Sequence, residues 1–170
     1  MLLSFIGNNK APILKQSIMT TTISIGELMT EKLETINTSS SAQEASKKMR
    51  DKNVSSLVVI DKNNNNKPTG IVTERSLVRK ICINDLKSSS VLIQDIMSSP
   101  IVTIDSNSPV EAAADVMIQN KVRHLLVVEN NDIGRPLGII TPTDFTGYLK
   151  ENLNIDDVNA KIIESLKEEE

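Results

Sequence analysis

The stretch GIITPTDF, residues 138–145, has an earlier counterpart in GIVTERSL, residues 70–77. The two agree at the glycine, the following isoleucine and the threonine, yet the second carries Asp144 where the first carries Ser76. They lie 68 residues apart, and that offset runs without a gap from Ile25 on Ile93 to Leu77 on Phe145, with 15 identities over 53 positions. Two copies of one structural unit therefore fill most of the chain.

The second copy is the better patterned. PIVTID, 100–105, is a short β-branched run. SPVEAAADVMIQN, 108–120, opens with Ser108 as an expected N-cap and Pro109 at the first helical position, and Val110, Ala113, Ala114, Met117 and Ile118 share one helical face. HLLVVE and PLGIIT are apolar enough for buried strands, and NNDIGR between them, like KNNNNK in the first copy, reads as a polar hairpin loop. A second helix is expected from Thr143 to about Asn152. The unit is then β-α-β-β-α, with its first two strands parallel across the helical crossover and its last two antiparallel across the short loop. One such unit leaves a sheet face bare, so the expected fold is α+β: two units related by a pseudo-twofold and packed sheet to sheet.

The expected organisation is a flexible arm over 1–22, unit one over 23–83, a linker over 84–90, unit two over 91–151 and a C-terminal helix over 152–170. With 170 residues, 39% of them hydrophobic, the chain can build a core, although only 2% are aromatic. Few aromatics and a net charge of −3 argue against a nucleic-acid surface. No apolar run is long enough to span a bilayer, and MLLSFIG is too short for a secretory leader, so no membrane contact is expected. Cys82 stands alone in an apolar run and is expected to be a small buried hydrophobe, consistent with a reducing cytoplasm. No metal-ligand spacing, catalytic cysteine partner or Gly-rich phosphate loop is present, so neither a metal nor a catalytic cofactor is expected, and the chain does not read as an enzyme.

Chemistry concentrates in the second copy. Thr141 follows a strand and starts a helix, Pro142 removes an N–H that would have no partner, and Asp144 lies three residues after the threonine. A carboxylate there can take both hydroxyls of a ribose, which a serine cannot. Thr-Pro-x-Asp is equally an ordinary helix cap with an acid in the first turn. Arg123 and His124 replace Ser55 and Ser56 just before a buried strand, and an Arg–His pair there can clamp an anion or simply line a rim. Acid and basic pair fall in one copy and are missing from the other, which suggests one competent nucleotide site.

The stretches IQDIMSSPIVTIDSNSPVEAAADVM (93–117), VRHLLVVEN (122–130) and GRPLGIITPTDF (134–145) resemble a CBS domain, the module named after cystathionine beta-synthase. IGELMTEKLETINTSSSAQEASKKM (25–49) with KPTGIVTERSL (67–77) resembles another, so the resemblance covers Ile25 to Leu149. It implies a CBS pair, or Bateman module, holding an adenosine-containing ligand between its units: AMP, ADP or ATP, with S-adenosylmethionine or NAD as alternatives. Carried over by position, Thr141, Thr143 and Asp144 would contact phosphate and ribose, and Arg123 and His124 phosphate. The neighbouring unit would add Lys32, Glu34, Val54, Ser55 and Ser56 around the base. A weaker second site would use Thr73, Arg75 and Ser76. The resemblance further implies a homodimer formed through the helices and a regulatory role toward an unknown protein partner. A ligand-independent dimerisation module is the competing reading.

Overall fold

The computed structural model describes residues 23–152, and within that span the 68-residue offset reappears element by element. The first copy contains α1 (Ile25–Leu28), β1 (Thr35–Asn37), α2 (Ala42–Lys52), β2 (Ser56–Asp61), β3 (Lys67–Thr73) and α3 (Glu74–Leu77). The second contains α4 (Ile93–Ile96), β4 (Thr103–Asp105), α5 (Val110–Asn120), β5 (Leu125–Glu129), β6 (Asp132–Ile140) and α6 (Pro142–Asn152). The expected N-terminal arm and the expected C-terminal helix after residue 152 lie outside the described residues.

Each copy folds a three-stranded sheet, β1-β2-β3 or β4-β5-β6, whose first pair is parallel and second antiparallel. The hairpins turn tightly. Asn65 and Asn66 in the first, and Asn130 and Asn131 in the second, all have φ between 50° and 59°. Two successive positive φ values match the right-handed twist of the flanking strands, and asparagine tolerates them better than most residues. The second loop is thus shorter than NNDIGR suggests, because β6 already begins at Asp132.

Val58, Ile60 and Ile71 from one sheet meet Leu126, Val128 and Ile139 from the other in a shared core cluster. Full burial of a Val, Leu or Ile side chain contributes about 1.5–3 kcal/mol, so this layer holds the two copies face to face. On the outer side α2 covers the first sheet with Ala42, Ala45 and Met49, and α5 covers the second with Ala113 and Met117.

The opening segments are exchanged. α1 precedes the first sheet in sequence, but Ile25 lies in the core of the second unit, with Ile104, Ala113 and Leu125. Reciprocally, Ile93 and Ile96 of α4 lie in the core of the first, with Ile36, Ala45 and Leu57. Backbone bridges fix the exchange in matched pairs: Ser24 with Pro109 and Leu92 with Ser41, then Thr30 with Ile139 and Ser98 with Ile71. Reciprocal contacts of this kind define a twofold relation. They also explain the repeated glycine, since a Cβ on Gly138 would lie 2.6 Å from the Thr30 carbonyl oxygen, and one on Gly70 2.7 Å from that of Ser98.

Three local expectations change. α5 starts at Val110 with Pro109 as its extended N-cap, not with Ser108 capping. The Ser108 carbonyl accepts from Ile25 N at 3.0 Å and Val110 N donates to the Ile23 carbonyl at 3.2 Å, so the exchanged segment holds residues 108–109 extended. In the first copy Ser41 caps α2 fully: Glu44 N donates to Ser41 Oγ at 3.2 Å and Ser41 N to Glu44 Oε2 at 2.6 Å. α6 begins at Pro142, one residue earlier than Thr143, with proline at the position where its missing N–H is harmless. Cys82 is exposed, not buried: α3 continues into a π-helical turn, Val78–Cys82, in which Ile81 takes the inward position.

Candidate functional site: the cleft between the units

β3 runs directly into α3 and β6 leads into α6, so each sheet ends at a helix start. Ser56 pairs with Thr73 across the first sheet, and Leu125 with Ile140 across the second, which sets His124 opposite Thr141. Each helix start therefore stands beside the residues that begin the central strand of its own sheet.

A cavity of about 350 Å³ opens between the units. The first unit lines it with Thr73, Arg75, Ser76, Arg79 and Lys80, and the second with Ser98, Pro100, Val102, Lys121, Arg123 and His124. Five of these side chains are Arg or Lys and none is acidic. None of the five forms an ion pair among the described residues. At the helix start, Ser76 N donates to Thr73 Oγ1 at 3.2 Å and the two hydroxyls lie 3.1 Å apart. Burial and the Arg123 charge push the His124 imidazole below its ordinary pKa, against an opposing pull from Asp144.

The other helix start is arranged differently. Asp144 Oδ2 accepts from Thr141 N at 2.6 Å and from Thr141 Oγ1 at 2.9 Å, while Oδ1 accepts from Thr30 Oγ1 of the exchanged opening segment at 3.2 Å. Three of the roughly four acceptor positions of the carboxylate are thereby used. Asp144 caps its helix and ties it to the other copy. Thr143 is exposed on the first turn of α6. Lys32 donates to the Lys52 carbonyl at 3.1 Å, and Glu34 pairs with Lys48 at 3.3 Å, so both engage α2 and its C-terminal end. They precede β1 and are not part of it. Val54 and Ser56 are half-buried and Ser55 is exposed before β2.

The structure thus divides the residues that the sequence grouped. Arg123 and His124 line the cavity of Thr73, Arg75 and Ser76, the site expected to be the weaker, whereas Asp144 does not line it. Arg79, Lys80, Lys121, Ser98, Pro100 and Val102 were not anticipated. For two of them the signal was available: Pro100 and Val102 stand 68 residues after Lys32 and Glu34, so the same neighbour rule applied to the first helix start reaches both. Among the described residues no group of three or more His, Cys, Asp or Glu can hold a metal ion, and no helix is long and apolar enough to cross a membrane.

The family description CBS domain matches residues 25–82 and again 93–151. An uncharacterized protein of Methanopyrus kandleri is 33% identical over 122 residues, which are 72% of this chain and 60% of that protein's length. An uncharacterized 17.7 kDa protein of Acidianus ambivalens is 31% identical over 125 residues, 74% of this chain and 72% of the other. Among solved structures, an uncharacterized conserved protein from Pyrococcus horikoshii superposes with a TM-score of 0.69 at 28% identity, covering 80% of this chain and 98% of that one. A CBS domain protein from Pyrobaculum aerophilum complexed with AMP superposes with a TM-score of 0.63 at 25% identity, covering 72% and 89%.

Proposed function

Because the chain belongs to the CBS-domain family and carries two such domains as a tandem pair, we propose that it is a regulatory module that binds an adenine nucleotide between its units and signals occupancy to a protein partner. The observation that carries this reading is the cavity of cations and hydroxyls between the copies, together with the AMP bound by the relative from Pyrobaculum aerophilum. Its volume of about 350 Å³ falls in the usual range for small-molecule sites. Arg123 and His124 hold phosphate, and the Thr73 and Ser76 hydroxyls add neutral donors. Asp144, occupied by Thr30 and Thr141, maintains the contact between the copies instead of holding a ribose. A thermal-shift panel of AMP, ADP, ATP, S-adenosylmethionine and NAD tests the reading, because a ligand that binds only the native state must raise the melting temperature. A flat response to all five would reject it.

A second feature supports self-association. Ala114, Met117 and Ile118 of α5 form an apolar groove with Val122, Pro142 and Phe145, and Ile118 is 75% exposed. We propose that this face joins two chains into a homodimer. Ile118→Glu should then convert a dimer into a monomer in light scattering, and a wild-type monomer at tens of micromolar would reject the dimer.

A further inference from the structure

The charge of the cavity exceeds what one phosphate requires. Arg75, Arg79, Lys80, Lys121 and Arg123 surround it with no ion pair among the described residues, in a chain whose net charge is −3. The positions 68 residues away in the repeat are Thr143, Gly147, Tyr148, Asn53 and Ser55, none of them charged. The cations therefore do not belong to the repeated fold. They are confined to one of two equivalent clefts, where their like charges favour the entry of an anion.

A phosphate monoester brings about −1.5 to −2 charges at neutral pH, fewer than half of what five cations can face. Three linked phosphates bring more charge and span more donors. Arg75, Arg79 and Lys80 lie along the continuous helical stretch that α3 and the π-helical turn form, while Lys121 and Arg123 face them from the other unit. A chain of phosphates laid between those two walls meets cations on both sides. Resting on the nucleotide reading above, we infer that this cleft selects ligands carrying three or more linked phosphates over nucleoside monophosphates. Guanidinium groups pair with phosphate oxygens in a bidentate geometry, so the arginines set the position of the chain and the lysines add charge.

Isothermal titration of the full chain without divalent cations, using AMP, ATP and inorganic tripolyphosphate, tests the inference. ATP should bind at least about tenfold more tightly than AMP, and tripolyphosphate should bind and compete with it. Arg79 and Lys80 are exposed, so changing both to Ala leaves the core intact. The double variant should lose most of the ATP advantage, so that the ratio of ATP to AMP affinity falls toward one. AMP binding as tightly as ATP, or ATP affinity indifferent to the double variant, overturns the inference and leaves the nucleotide reading standing. Tripolyphosphate binding with no response to any nucleotide overturns the adenine reading and, with it, the inference. Silence from all three ligands overturns both.

Discussion

At one cleft Thr73 and Ser76 share their cavity with Arg75, Arg79, Lys80, Lys121 and Arg123; at the cleft related by the repeat, the corresponding positions hold Asp144, Lys32 and Glu34 among neutral residues. The order of elements is the same in both, and in both the exchanged segment passes over a glycine. What differs is the function of the helix start. With Asp144 the start is closed by its own cap and by Thr30, whereas with Ser76 the side-chain contacts there are the neutral ones between Thr73 and Ser76. Duplication supplies the fold, because each sheet face and each opening segment needs the other copy. Once both clefts exist, one can become a structural joint while the other gathers charge.

The comparison can be broken first at the part the copies share. Gly138→Val and Gly70→Val each force a side chain against a carbonyl oxygen and a methionine sulfur. Each should cost about 2–3 kcal/mol, or roughly 5–10 °C in melting temperature for a chain of this size. Similar losses at both sites are expected in a urea or thermal melt. A harmless change at either would show that the exchanged segments do not approach as described.

Next in size is Arg123→Ser, which gives the cationic cleft the residue of its counterpart, Ser55. Loss of a hydrogen bond to a charged group is worth about 1.5–3 kcal/mol, so calorimetry should record a ten- to hundredfold drop in nucleotide affinity. Asp144→Ala sharpens the contrast. It should cost about 0.5–2 kcal/mol of stability as a lost cap, and reduce nucleotide affinity less than Arg123→Ser does. The reverse ranking of affinities would make Asp144 a ligand residue.

The smallest effect belongs to His124. Its folded pKa is depressed, chiefly by burial and then by Arg123, so the unfolded chain binds the proton more readily. Stability should accordingly be full above the unfolded value of about 6.5 and fall as pH drops below it. Melting temperature measured between pH 7.5 and 5.5 should decline, and decline less in His124→Asn. An equal decline in both proteins would assign the pH dependence to other groups.

Much of this architecture was legible in the residues. The offset located both units, and the alternation of β-branched runs with the Ala42–Lys52 and Val110–Asn120 helices fixed the strand order, because burial on one face leaves a period that local sequence records. The exchange of α1 and α4 was not legible. Ile25 and Ile93 are the same residue at the same place in the repeat, so nothing local says whose core each enters. The divided site follows from that same blindness: Arg123 and Asp144 share a copy, but the cleft is assembled across copies. The exposure of Cys82 was not legible either, because it depends on a π-helical turn, which shifts the inward face by a residue and leaves no periodic trace.

The central claim is that one of two equivalent clefts binds the phosphates of a nucleotide. Its most direct test is the stoichiometry of ATP binding to the full chain by isothermal titration, repeated with Arg123→Ser combined with Arg79→Ala. The account predicts one ATP per chain, with binding weakened at least about tenfold in the double variant. Two equal sites per chain, or a single site whose affinity the double variant leaves unchanged, would contradict it.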